Sequence, residues 1–167
     1  MNYLDNKNFI KQEWIDEVMF NDGQARPRDW PATNAIESAE YQRASEAGYD
    51  LSSVHWWVYE KQDVSFDINL PWINNEYHWW ITKLYPGQFM PVHTDPHTHE
   101  RPCKRYWIPM QDYHPGHIFL YKDEVIVNYK KGDVFVYDLE TDLHGAANIG
   151  HIPRLVLQIT EYIWNFF

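Results

Sequence analysis

Three histidines and an aspartate crowd the run "FMPVHTDPHTHER", residues 89–101. Along an extended strand successive side chains alternate faces, so His93 and Asp95 point one way and Thr94 the other. One imidazole nitrogen and one carboxylate oxygen suit iron, manganese or zinc, yet two ligands from one strand do not hold a catalytic metal. His144, in "DLHGAANIGHIPRLVLQI", is the best-placed third ligand. It follows the run "DVFVYD" and precedes another strand, so an antiparallel return carries it opposite His93. Two histidines and one carboxylate on one side of an ion form the facial triad of non-haem Fe(II) oxygenases, which leaves adjacent positions for a bidentate cosubstrate and O2.

Arg154 is an independent clue. It stands ten positions after His144 at the start of "RLVLQITEY", where alternation puts Arg154, Val156 and Gln158 on one face and Leu155, Leu157 and Ile159 on the other. A guanidinium among apolar neighbours is costly to bury unless an anion meets it. A dicarboxylate that chelates the metal at one end and meets the fork of Arg154 at the other satisfies that need. The remaining histidines carry plainer expectations. His97 and His99 share the parity of Asp95, but Pro96 interrupts the strand and puts them in an exposed loop. His114, His117 and His151 sit beside Pro or Gly in turns, His55 and His78 flank Trp pairs at a core edge, and Asn148 stabilises the turn after His144. Tyr106 and Trp107 are read as packing residues, Arg101 and Arg105 equally as a solvated basic rim or as contacts to an acidic substrate. Cys103 has no base partner and receives no catalytic part.

The elements that must position these side chains are short. From Val54 onward, β-branched and aromatic runs ("VHWWVYE", "YHWWITKLY", "KRYWIPM", "GHIFLY", "EVIVNY", "DVFVYD", "RLVLQITEYIW") are separated by turn residues with no helical pattern between them, which predicts an antiparallel sandwich or barrel, taken as a jelly roll. "YKDEV" and "YKKGDV" supply tight hairpins, with Gly132 at a positive φ. Residues 1–50 form a polar, irregular covering segment broken by Gly23, Pro27 and Pro31, with one helix near 35–47 closed by Gly48. The 167 residues are expected to form one domain, 54–167 being the jelly-roll core.

A formal charge of −10 argues against sequence-independent nucleic-acid binding and against attraction to a membrane surface. The single cysteine forbids an intrachain disulfide. With no apolar run near the roughly 18–20 residues a bilayer demands and no signal-peptide core in "MNYLDNKNFIKQEW", a cytoplasmic protein is expected.

The HTD at 93–95, His144 and Arg154 together resemble the 2-oxoglutarate and Fe(II)-dependent dioxygenases, with their HxD, later His and Arg about ten positions on. "LYPGQFMPVHTD" is similar to the approach to HxD in the prolyl-hydroxylase branch, and "HGAANIGHIPRLVL" to the ending of prolyl and aspartyl/asparaginyl hydroxylase-like members. The resemblance covers roughly residues 79–162. It implies a double-stranded β-helix in which His93, Asp95 and His144 ligate Fe(II) and Arg154 binds the distal carboxylate of 2-oxoglutarate, with Tyr85, or Lys83 in its place, adding a second contact. It further implies hydroxylation of a C–H bond coupled to decarboxylation of 2-oxoglutarate to succinate, with a lean to a prolyl or other protein side chain as prime substrate and a free amino acid or another small metabolite as the other class. Two rivals stay open. A cupin-type metalloenzyme partly matches "GQFMPVHTD" and "HGAAN", with Glu100 as a further ligand. A non-catalytic jelly roll would instead bind carbohydrate or a partner protein through its aromatics.

Overall fold

The computed structural model describes residues 1–22, 26–29, 46–47, 55–95, 102–138 and 141–163. The chain is mainly β and folds as a double-stranded β-helix: two antiparallel sheets face each other, and one α-helix covers the outer face of the larger sheet. The strands are β1 (Asn2–Asn6), β2 (Arg26–Asp29), β3 (His55–Glu60), β4 (Tyr77–Leu84), β5 (Phe89–His93), β6 (Cys103–Pro109), β7 (His117–Tyr121), β8 (Glu124–Val125), β9 (Asp133–Tyr137), β10 (His144–Asn148) and β11 (Arg154–Tyr162), with α1 at Gln12–Phe20. The large sheet runs β1-β9-β6-β11-β4-β3-β2 and the small one β5-β10-β7-β8. From β4 to β7 and again from β9 to β11 the chain changes sheet with every strand, so neighbours in sequence end on opposite walls of one interior.

Period-2 alternation sorts the side chains into two cores. Leu155, Leu157 and Ile159 of β11 face outward with Trp79 and Ile81 of β4 and pack under Trp14, Ile15 and Val18 of α1. Val156 of β11, Leu84 of β4 and Trp107 of β6 turn inward against Phe119, Tyr121 and Ala146 of the small sheet. The two adjacent indoles of β4 thus serve different layers: Trp79 stacks with Phe66 in the outer core, and Trp80 lines the inner pocket.

Two elements at the N-terminus depart from the sequence expectation. Asn2–Asn6 is a strand that completes the large sheet against β9, and the covering helix is Gln12–Phe20, where Trp14, Ile15 and Val18 form one buried face. The helix expected near 35–47 lies almost wholly outside the described residues. "EVIVNY" is also shorter as a strand than expected: β8 stops at Val125, after a tight turn in which Lys122 takes φ +56°. Gly132 does adopt a positive φ, +83°. No helix among the described residues is long and apolar enough to cross a membrane.

A buried lysine pins α1 to the sheet. Lys83 is fully buried; its Nζ donates to the carbonyls of Val18 (2.6 Å) and Met19 (3.4 Å) and pairs with Asp22. The last turn of α1 has no basic residue of its own, so this ammonium from β4 meets the negative end of the helix dipole and its orphan carbonyls. Replacing it in Lys83→Met leaves those acceptors unpaired, and urea unfolding is expected to show a loss of about 3 kcal/mol.

Candidate metal centre

β5 and β10 pair antiparallel with His144 directly opposite His93, the juxtaposition that the return between the two strands was expected to make. The register shifts between His144 and Ala146, and Gly145 is the residue that allows it: a Cβ there would lie 3.1 Å from the Met90 carbonyl and from Val92 Cα. Asp95 leaves the end of β5 on the face of His93. The ligand atoms of His93, Asp95 and His144 all lie within 4.8 Å of one another, with His93 Nε2 3.4 Å from Asp95 Oδ1 and His144 Nε2 3.7 Å from Asp95 Oδ2.

Each imidazole is held by the carbonyl two residues before it: His93 Nδ1 lies 2.6 Å from the Pro91 oxygen and His144 Nδ1 3.0 Å from that of Asp142. A carbonyl only accepts, so Nδ1 carries a proton in each ring and Nε2 is the atom turned toward Asp95. Asp142 is itself tied down by Tyr121 Oη, the Asp138 amide and Lys122 Nζ (2.7 Å). Against the upward pull of its own burial, Lys122 and Tyr121 hold its carboxyl at about 2. Burial and then the neighbouring His93 push His144 down to about 4 despite Asp95, so His144 is neutral near pH 7. Burial would raise Asp95, but the His93 contact and the charge of Arg105 hold it well below the usual carboxylate range. Two imidazole Nε2 atoms and an ionised carboxylate thus converge in one partly dry site. The donor set fits a divalent metal, and it matches the facial triad.

The triad lies in a pocket of about 360 Å³ between the sheets, which Arg154 also lines. Arg154 is 3% exposed and packs over the rings of Trp107 (5.5 Å) and Phe119 (5.7 Å). Burial lowers its pKa, against the opposing influence of the nearby Tyr129. Its Nε and Nη2 have no hydrogen-bond partner among the described residues. The Phe119 ring also packs toward His144 (6.5 Å), so the guanidinium is one ring removed from the metal ligands.

Tyr85 and Lys83 are not at this pocket. In the pairing of β4 with β11, Lys83 stands opposite Leu155 and Leu84 opposite Arg154, so Lys83 shares the outward face. The Tyr85 hydroxyl and Lys83 Nζ both go to Asp22. The hydroxyl beside Arg154 belongs to Tyr129. Arg105 is not a solvated rim. At 8% exposure it reaches Asp95 Oδ2 at 3.2 Å, a position legible from its inward parity with Trp107 along β6. His117 is a buried structural histidine that donates from Nε2 to the Ile152 carbonyl (3.1 Å), with burial lowering it to about 4. Asn148 joins the Leu84 and Ile152 carbonyls (both 2.8 Å). His97, His99, Glu100 and Arg101 lie outside the described residues.

No protein-family model matches the sequence, and neither does any curated protein sequence. Among solved structures, the chain is similar to an uncharacterized conserved protein with a double-stranded beta-helix domain from Klebsiella pneumoniae (19% identity, TM-score 0.39, 53% of this chain and 66% of that chain, just under two thirds of its length). It is also similar to a predicted oxalate decarboxylase from Thermotoga maritima (15%, TM-score 0.44, 65% and 82%) and to a Cupin 2 conserved barrel domain protein from Salinispora arenicola (12%, TM-score 0.43, 64% and 75%).

The purified protein is expected to bind one equivalent of Fe(II) or Zn(II), as read by metal content after gel filtration. Asp95→Ala and His144→Ala should each weaken retention by more than the roughly 100-fold that losing an outer partner of a ligand costs, with the fold unchanged by circular dichroism.

Proposed function

We propose that this chain is a metal-dependent enzyme of the cupin-type double-stranded β-helix class and, within that class, a 2-oxoglutarate- and Fe(II)-dependent dioxygenase. The reaction transfers one oxygen atom of O2 into a C–H bond of the prime substrate and the other into succinate, with release of CO2. The observation that carries the narrower reading is Arg154: a buried cation with two N–H groups lacking acceptors, in the same pocket as the triad. Such groups are costly to leave unpaired, and a carboxylate supplies both acceptors at once.

His93, Asp95 and His144 would hold the iron, which supplies the redox chemistry when bound. The chain's own residues bind and orient. Arg154, steadied by Tyr129, would receive the distal carboxylate of 2-oxoglutarate, while Trp107 and Phe119 beneath it exclude water and strengthen that pairing. The carbonyls of Pro91 and Asp142 keep both Nε2 atoms turned inward.

The similar structures, a predicted oxalate decarboxylase and a cupin among them, agree better with the alternative: a cupin-type metalloenzyme that uses no 2-oxoglutarate. The two readings differ at Arg154. Calorimetric titration of the Zn(II)-loaded protein with 2-oxoglutarate is expected to show one site. Arg154→Ala should weaken it by about 30-fold or more, as expected for truncating a buried charge pair, with zinc retained. Full zinc occupancy with no 2-oxoglutarate binding to the native chain favours the cupin-type alternative.

A further inference from the structure

The pocket contains a second buried cation. Arg105 extends from β6 with its guanidinium over the Trp80 ring (4.3 Å). Its Nη2 donates to Asp95 Oδ2 (3.2 Å) and its Nη1 to Gln158 Oε1 (3.5 Å), while Nε has no partner among the described residues. Asp95 therefore engages one edge of a planar fork, and the indole fixes the plane of the rest. This donor lies beside the metal ligand Asp95, and Arg154 sits apart from it on β11.

An acidic side chain faces it along the same wall. Across the large sheet, Gln158 stands opposite Trp107 on one side and Trp80 on the other, and Trp80 opposite Glu60. With strands about 4.8 Å apart, Glu60 lies one strand beyond the indole on which Arg105 rests. Glu60 also lines the pocket; its carboxylate accepts from Gln62 Nε2 (2.7 Å) and the Asp63 amide and lies 3.9 Å from His78, and a carboxylate has room for about four donors. A cation and a carboxylate flanking one aromatic face complement a zwitterion with an apolar side chain. A residue inside a polypeptide has neither a free α-carboxylate nor a free ammonium, and about 360 Å³ suits one small molecule beside the keto acid.

We propose that Arg105 grips the carboxylate of the prime substrate and that this substrate is a free α-amino acid, its ammonium turned to Glu60. The reaction it undergoes rests on the dioxygenase reading; its binding does not. The test is calorimetry on the Zn(II)-loaded protein, with and without 2-oxoglutarate, using each of the twenty L-amino acids and the corresponding C-terminal amides. At least one amino acid is expected to bind, with its amide weaker by about tenfold or more, the scale of one lost charge-assisted contact. Because Arg105 is also an outer partner of Asp95, the variants are compared at saturating zinc, where Arg105→Met should remove about 30-fold or more of that affinity and Arg105→Lys less, with 2-oxoglutarate affinity at the native level. Glu60→Gln should weaken the amino acid and leave its deamino analogue unchanged. Absence of binding by all twenty, equal binding of acid and amide, or an Arg105→Met deficit confined to zinc or 2-oxoglutarate overturns the proposal. The acid-versus-amide comparison uses the native chain, so it decides the matter even where a variant does not fold. If 2-oxoglutarate fails to bind while an amino acid binds through Arg105, the dioxygenase reading falls and this one stands.

Discussion

Everything at this site depends on two imidazoles turned the same way. Each histidine commits Nδ1–H to the carbonyl two residues behind it, and the pairing of β5 with β10 sets the two rings opposite each other, 4.5 Å between centroids. Both constraints belong to the backbone, so both Nε2 atoms are turned toward Asp95. Gly145 supports the same constraint, since a Cβ there would lie 3.1 Å from the Met90 carbonyl and Val92 Cα, a tight contact that β5 would have to yield to. Tyr121 and Lys122 extend it outward by fixing Asp142, whose carbonyl orients His144.

Around this centre the protein buries two arginines on aromatic faces, Arg105 on Trp80 and Arg154 on Trp107 and Phe119. The rings remove water and compensate part of the desolvation of each cation, while leaving N–H groups with no acceptor among the described residues. The aromatic residues of the pocket thus form flat walls that keep both cations dry, Arg105 paired with Asp95 and Arg154 with Nε and Nη2 unpartnered among the described residues. In the outer core Lys83 is fully neutralised by Asp22 and the end of α1.

Much of this was legible in the residues. The spacing of His93 and Asp95, the alternation of "RLVLQITEY" and the β-rich second part of the chain follow from a two-residue period, and that period survives in the fold. Lys83 and Tyr85 show its limit. Parity says which residues of β4 share a face, but only the pairing of Lys83 with Leu155 says that this face is the outer one. Tyr129 reaches Arg154 from a segment that looked like a strand and is not one, so no local signal marks it. Arg105 had the right parity with Trp107, yet an arginine near polar residues reads as surface until Asp95 and Trp80 are seen around it. At the N-terminus the spacing of Trp14, Ile15 and Val18 marks a short apolar helical stripe, while β1 is polar and nearly fully exposed. Its strand pairing is dictated by β9 and not by its own composition.

X-ray absorption at the iron edge of the Fe(II)-loaded protein examines the convergence itself. Two imidazole nitrogens and at least one carboxylate oxygen bound to a single iron are the expected coordination shell, with the imidazole scattering halved in His144→Ala. A shell of oxygen donors alone, or one that His144→Ala leaves unchanged, would contradict the central assignment.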